Sequence, residues 1–363
     1  MGKLGFGLMR LPKKGELIND SQVNEMVDLF LASGGTYFDT AYVYPGSEEA
    51  AGRTLVARHP RESYTLATKV NAMAAASEEE AKDQLRISLE RTGAGYFDYY
   101  LLHALQEENF AKYEQFHLWD FARQQREKGV IRRLGFSFHG GPDLLDRLLT
   151  DHPEAEFVQL QINYADWEDP KVAARANYET ARRHNKPVVI MEPVKGGRLA
   201  DPPAGVKELF REHAPGASPA SWAIRFAASL EGVLTVLSGM SDMAQLRDNL
   251  ASTADLRPLD EGERQIIRQA QDILRRSAAI PCTACRYCTE GCPKGIPIPE
   301  IFAAMNKSLG GQAAQAADDY RAATAAGGLA SECIRCGQCE RACPQHLPVA
   351  DHLERCARAL EGR

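Results

Sequence analysis

Hydrophobic and polar positions along the first two thirds of the chain follow two alternating patterns. Short β-branched or aromatic runs are separated by longer stretches in which apolar residues recur every three or four positions, as strands and amphipathic helices do around a parallel sheet. The pattern predicts strands at Gly5–Arg10, Tyr37–Ala41, Tyr64–Val70, Phe97–His103, Arg133–Phe138, Phe157–Asn163, Pro187–Pro193 and Val233–Gly239. Between them it predicts helices at Ser21–Ser33, Ser47–Arg58, Ser77–Arg91, Phe110–Glu127, Pro142–Thr150 and Lys171–His184. After a Pro/Gly-rich loop come a helix at Pro219–Leu230 and, beyond the last strand, an eighth at Met243–Leu250. Eight strands and eight helices in about 250 residues match the stoichiometry and size of a (β/α)8 barrel. A doubly wound sheet would place a glycine fingerprint in the turn after an early strand, whereas Gly5-Phe6-Gly7 runs straight on as strand.

With 363 residues the chain exceeds the size at which one core usually stops growing, so a second domain is expected. A charged amphipathic helix, Leu259–Arg276, carries the chain out of the barrel pattern. All nine cysteines lie beyond it, and none lies in the first three quarters of the sequence. An odd number in tight spacing is unlike a secreted disulfide framework and reads as a set of ligands.

The first cysteine run is Cys282-x-x-Cys285-x-x-Cys288-x-x-x-Cys292-Pro293, and the second is Cys333-x-x-Cys336-x-x-Cys339-x-x-x-Cys343-Pro344. Three thiolates at two-residue intervals wrap three corners of a cubane cluster, and the fourth, just before a proline, reaches the other cluster. Two [4Fe–4S] clusters are expected on that logic. One takes Cys282, Cys285, Cys288 and Cys343; the other takes Cys333, Cys336, Cys339 and Cys292. A zinc module uses paired C-x-x-C sets and has no use for the third thiol at the next interval. The wide separation of the runs, filled by an Ala-rich stretch that reads as two helices around Gly310-Gly311, resembles the helical ferredoxin domains of respiratory dehydrogenase subunits. Cys356 is left over on the last predicted helix and reads as a small buried apolar residue. The expected organisation is α/β: a (β/α)8 TIM barrel over residues 1–258, then a linker helix and a small, mainly helical ferredoxin-like domain over 259–363.

In a barrel, catalytic residues close the C-terminal ends of several strands. Asp39 closes the second predicted strand, Lys69 the third and His103 the fourth, each after an apolar run, and Tyr44 follows Asp39 by five residues. A lysine held by an aspartate at a barrel mouth would lower the pKa of an adjacent phenol. Together with the strings Phe38-Asp39-Thr40-Ala41-Tyr42-Val43-Tyr44, Ala67-Thr68-Lys69, Leu101-Leu102-His103 and Gly135-Phe136-Ser137, this order resembles the catalytic tetrad of the aldo-keto reductases. The resemblance implies that Tyr44 protonates a carbonyl oxygen as hydride arrives from a nicotinamide, that Lys69 and Asp39 tune Tyr44, and that His103 orients the substrate. It implies NADP(H) or NAD(H) as cofactor and a small carbonyl or alcohol as substrate. Ser137 and Gln159 would bind the nicotinamide amide, and Ser238 to Asn249, with Gly239, Gln245 and Asn249, would lie along the adenosine phosphate. Met191 stands where the family commonly stacks an aromatic on the nicotinamide, Phe138 where it commonly has asparagine, and Gly239 and Gln245 where NADPH-preferring relatives often carry lysine and arginine.

A nicotinamide moves two electrons at once and each cluster moves one, so the combination calls for a bound flavin, a flavoprotein or ferredoxin partner, or a substrate that accepts single electrons. A different class of reading makes the chain an electron-transfer or redox-sensing subunit whose barrel binds nucleotide or a partner without carbonyl turnover. The balance of 43 basic and 49 acidic residues argues against a nucleic-acid surface. No apolar run is long enough for a membrane span, and the expected location is the cytoplasm.

Overall fold

Eight parallel strands close into a barrel in the order Leu4–Gly7, Val233–Ser238, Val188–Met191, Phe157–Gln161, Ile131–Phe138, Phe97–Leu105, Thr65–Val70 and Tyr37–Asp39. The computed structural model describes residues 2–362. The barrel strands are β1 (Leu4–Gly7), β4 (Tyr37–Asp39), β5 (Thr65–Val70), β6 (Phe97–Leu105), β7 (Ile131–Phe138), β8 (Phe157–Gln161), β9 (Val188–Met191) and β10 (Val233–Ser238). A two-stranded hairpin, β2 (Lys13–Lys14) and β3 (Leu17–Ile18), follows β1. By its contacts the chain forms two compact units. The first is the chain up to Val194 with Gly216–Gln265; the second is Lys195–Pro215 with the chain from Ile266 onward.

Strand alternation builds the first unit. One face of each strand packs outward under the helices, as Phe6, Phe38, Leu66, Tyr100, Phe136 and Val158 do in the main core. The other face fills the barrel with Tyr37, Ala67, Tyr99, Leu101, Phe157, Val189 and Leu237. The large inward side chains fit because glycine stands opposite them: a Cβ on Gly135 would lie 2.6 Å from Phe157, and one on Gly5 would lie 2.7 Å from Leu237. Helices begin where a side chain satisfies the first free N–H groups. Ser77 accepts from the Glu80 N–H, Ser218 from Ser221 and Asp242 from Gln245. Pro142 and Pro219 occupy first-turn positions, where their missing N–H costs nothing.

The predicted helix Phe110–Glu127 is two helices, Phe110–Gln115 and Leu118–Glu127, because His117 between them takes φ 48. The predicted Lys171–His184 starts late, at Ala174, after Ala173 with φ 51. The Pro/Gly-rich loop contains a helix, Ala204–His213, that the pattern did not predict, and it belongs to the second unit.

The second unit is helical, with a core of Ile280, Ile296, Ile298, Ile301, Phe302, Met305, Leu347, Val349, Leu353 and Cys356. Helices Ile298–Leu309 and Ala313–Thr324 flank the glycine pair as predicted. Cys356 is fully buried on the helix Val349–Leu360, and burial pushes its thiol up to about 12. Around each cysteine run the backbone repeats. Arg286 and Gly337 enter short helices in the left-handed region, at φ 70 and φ 76. After the fourth cysteines, the Gly295 N–H donates to the Cys292 carbonyl and the His346 N–H to that of Cys343, both at 3.0 Å.

Candidate functional site

The barrel's inner face positions the site by simple alternation. Asp39, Lys69, His103, Ser137, Gln159, Met191 and Gly239 each lie two residues beyond an inward position, namely Tyr37, Ala67, Leu101, Gly135, Phe157, Val189 and Leu237. A period of two therefore stacks all seven on the same face, at the C-terminal ends of their strands. Asp39, Lys69, His103, Ser137 and Gln159 are at most 4% exposed.

The Lys69 ammonium lies 2.5 Å from Asp39 Oδ1 and donates to the Thr40 carbonyl at 2.6 Å. It sits 5.1 Å from the centroid of the Tyr44 ring, and the His103 ring meets that ring edge to face at 5.6 Å. Burial pulls the Lys69 ammonium below its usual value, opposed by the charge and hydrogen bond of Asp39. Burial raises the Asp39 carboxyl, opposed by Lys69 and by a hydrogen bond from Gln159. Burial, then the charges of Lys69 and His139, hold His103 well below 6.5, so the ring is neutral at pH 7.

A bulge aims His103. β6 runs on past it to Leu105, and the register with β7 shifts between Leu102 and Leu105. Ala104 takes φ 55 there, and its N–H donates to Ser137 Oγ at 2.7 Å. The Tyr113 hydroxyl donates to the His103 carbonyl. Sequence pattern gave no sign of the bulge, because alanine carries no preference for that conformation.

Gln159 donates to Asp39 through Nε2, while its buried Oε1 and the buried Nδ1 of His103 have no hydrogen-bond partner among the described residues. These buried atoms fit a ligand with polar groups, as a carboxamide or a carbonyl compound is. Asn249 accepts from the Ser238 hydroxyl at 2.6 Å, and Gln245 is tied to Ser241 N and Asp242 at the helix start. Arg10, which sequence pattern did not single out, runs beside Gly239, where a Cβ would lie 3.4 Å from its Cδ.

In the second unit the cysteines surround two cavities. Cys282, Cys285, Cys288 and Cys343 line one, with Thr283 and Gln345. Cys333, Cys336, Cys339 and Cys292 line the other. The fourth cysteine of each run thus faces the cavity of the other run. Burial first, then Cys285, Cys282 and Cys343, push the Cys288 thiol up, and burial with Glu340, Cys333 and Cys336 pushes Cys339 up to about 11. Among the described residues no group of three acidic, histidine or cysteine side chains converges on the point a single metal ion would occupy.

The sequence matches the family model described as "Aldo/keto reductase family" over residues 3–272. The chain belongs to the aldo/keto reductase family. A second match, described as "4Fe-4S dicluster domain", covers residues 281–347. The chain is 28% identical over 212 residues to the aldo-keto reductase str7 of Strobilurus tenacellus, covering 55% of this chain and 60% of that one. It is 27% identical over 252 residues to an aldo-keto reductase of Mycobacterium avium (strain 104), covering 69% of this chain and 80% of the other. Among solved structures, an aldo-keto reductase from Klebsiella pneumoniae in complex with NADPH superposes with a TM-score of 0.60 at 20% identity, over 74% of this chain and 91% of that one. At that identity the likeness shows the fold. No helix among the described residues is long and apolar enough to cross a membrane.

Proposed function

We propose that this reductase reduces a small carbonyl compound, or oxidises the corresponding alcohol, with NADPH or NADH at the barrel mouth, and that it holds two [4Fe–4S] clusters for one-electron transfer. The observation that carries the reading is the Lys69 ammonium, fixed by Asp39 at 2.5 Å and lying 5.1 Å from the Tyr44 ring, with the neutral His103 ring edge to face with the same phenol at 5.6 Å.

When bound, the nicotinamide supplies a hydride. Tyr44 donates its phenolic proton to the carbonyl oxygen, and Lys69 stabilises the negative charge left on that phenol. Asp39 keeps the buried lysine charged. Neutral His103 offers a hydrogen bond that orients the carbonyl. Gln159 Oε1, buried without a partner among the described residues, accepts from a carboxamide N–H, and Ser137 and Met191 border the same face. The NADPH-bound relative of the same fold supports a nicotinamide.

In the second unit, the cavity lined by Cys282, Cys285, Cys288 and Cys343 and the one lined by Cys333, Cys336, Cys339 and Cys292 would each hold a cluster. The clusters would supply single electrons, so a flavin, a flavoprotein or a ferredoxin is the expected intermediary with the two-electron site. The test is Tyr44→Phe: carbonyl turnover falls about 10²- to 10⁴-fold while iron content is unchanged. Persisting turnover would remove Tyr44 from the mechanism. A wild-type protein without turnover on any carbonyl would favour a nucleotide-binding electron-transfer subunit.

A further inference from the structure

The repeat around the two cysteine runs is broken in one informative place. After Cys292 the chain reads Pro293-Lys294-Gly295-Ile296-Pro297-Ile298; after Cys343 it reads Pro344-Gln345-His346-Leu347-Pro348-Val349. Gly295 and His346 share positive φ, 59 and 48, and the Ile298 and Val349 N–H groups each donate to a carbonyl two residues back at 2.9 Å. The backbones therefore match, and the side chains differ where Gln345 replaces Lys294.

Gln345 is 5% exposed and lines the cavity of Cys282, Cys285, Cys288 and Cys343. Its Oε1 accepts from the Lys195 ammonium at 2.9 Å, and Lys195 is itself only 7% exposed. The segment is seated on the first cysteine loop by its backbone as well. A Cβ on Gly196 would lie 2.5 Å from the Thr283 carbonyl, between Cys282 and Cys285, so the chain passes there only as glycine with φ 63. Arg198 donates to the Ile280 carbonyl two residues before Cys282. Three cations within or next to the cysteine runs, Arg286, Lys294 and Arg335, are exposed. Arg286 pairs with Glu300, Arg335 with Asp351 and Glu354, and Lys294 is open to solvent. Solvent and salt screen such charges, whereas a buried ammonium acts through a low dielectric.

Reduction of a cluster adds one negative charge, which a buried cation and hydrogen-bond donors favour. We propose that Lys195, acting with Gln345, sets the reduction potential of the cluster held by Cys282, Cys285, Cys288 and Cys343 above that of the cluster held by Cys333, Cys336, Cys339 and Cys292. This rests on the ligand reading of the cysteines. An electron delivered to the second cluster, whose Cys336 is the exposed cysteine of the set, moves on to the first. No bond is made or broken in that step: one cluster loses an electron and the other gains it.

The test is an anaerobic redox titration of the full-length, cluster-loaded protein with dithionite and mediator dyes, read by EPR after an iron count. Lys195→Met lowers the higher midpoint by about 59 mV or more, a tenfold change in a one-electron equilibrium, and leaves the lower midpoint in place. Lys195→Arg, which keeps the charge, restores most of the shift. Unmoved midpoints at wild-type iron content, or movement of the lower midpoint instead, overturn the proposal. If Lys195→Met loses iron, Gln345→Glu decides: it retains the cation but pairs it with a carboxylate facing the cavity, and an unmoved midpoint there overturns the proposal too. A wild-type iron count short of two clusters defeats the ligand reading before any titration begins, and this assignment with it.

Discussion

Gln159 on β8 donates to Asp39 on β4 across 3.3 Å, although these strands stand opposite each other in the closed barrel. The bond crosses the interior and leaves Gln159 Oε1 without a protein partner among the described residues. Gln159→Leu is expected to raise the KM for the nicotinamide nucleotide about tenfold, the equivalent of roughly 1.4 kcal/mol and one ordinary hydrogen bond. It also deprives buried Asp39 of a donor, lowering stability by about 1–3 kcal/mol in urea unfolding. An unchanged nucleotide KM would detach Gln159 from the cofactor.

His103 sets an acid limit on stability. Its folded pKa lies well below 6.5, through burial and then the nearby Lys69 and His139, so below pH 6.5 the unfolded chain takes up a proton that the folded ring refuses. Stability from this group is complete above about pH 6.5 and falls by up to about 1.4 kcal/mol per pH unit as the solution is acidified below it. His103→Gln removes that component. Urea midpoints at pH 7 and pH 5.5 should converge for the variant relative to wild type, and equal pH slopes in the two proteins would contradict the assignment.

The bulge at Ala104 holds a non-glycine residue at φ 55. Glycine takes that conformation at little steric cost, so Ala104→Gly should leave stability within about 1 kcal/mol of wild type and keep activity. Ala104→Val is expected to cost about 1–3 kcal/mol and to lower kcat, because a β-branched residue at positive φ pulls His103 out of line with Tyr44. Thermal unfolding and steady-state kinetics of the pair report the two effects separately.

The crossing of the fourth cysteines is open to a direct check. With Cys343 beside the first run and Cys292 beside the second, Cys343→Ser should disturb the cluster of Cys282, Cys285 and Cys288, and Cys292→Ser that of Cys333, Cys336 and Cys339. EPR of each singly reduced variant would show which signal is lost. Loss of the same signal in both variants would refute the crossed arrangement.

The barrel was legible because alternation of period two and helical periodicity are both written in the order of residues. The same alternation placed Asp39, Lys69 and His103 on one face, two positions beyond Tyr37, Ala67 and Leu101. The cysteine spacing carried its own geometry. What stayed hidden depends on tertiary contact: His117 and Ala173 break helices through backbone conformations that neither residue type favours, and Ala104 bulges a strand for the same reason. The helix Ala204–His213 lay inside a stretch dominated by Pro and Gly, and the pairing of Lys195 with Gln345 joins residues far apart in sequence. Arg10 comes beside Gly239 only through closure of the barrel, which pairs β1 with β10.

The second unit takes Lys195–Pro215 from the middle of the chain and the rest from its end. Val206 and Phe210 on that middle segment are buried, and Gly205 lies 3.6 Å from Ile273 when given a Cβ. No single cut therefore releases either unit whole. A chain ended at residue 258 would keep a helix whose apolar side has lost its cover, and a fragment begun there would lack Lys195. The two halves are interleaved by their covalent order, so a shuffled or transplanted version of this molecule has to carry the segment 195–215 along with the cysteines.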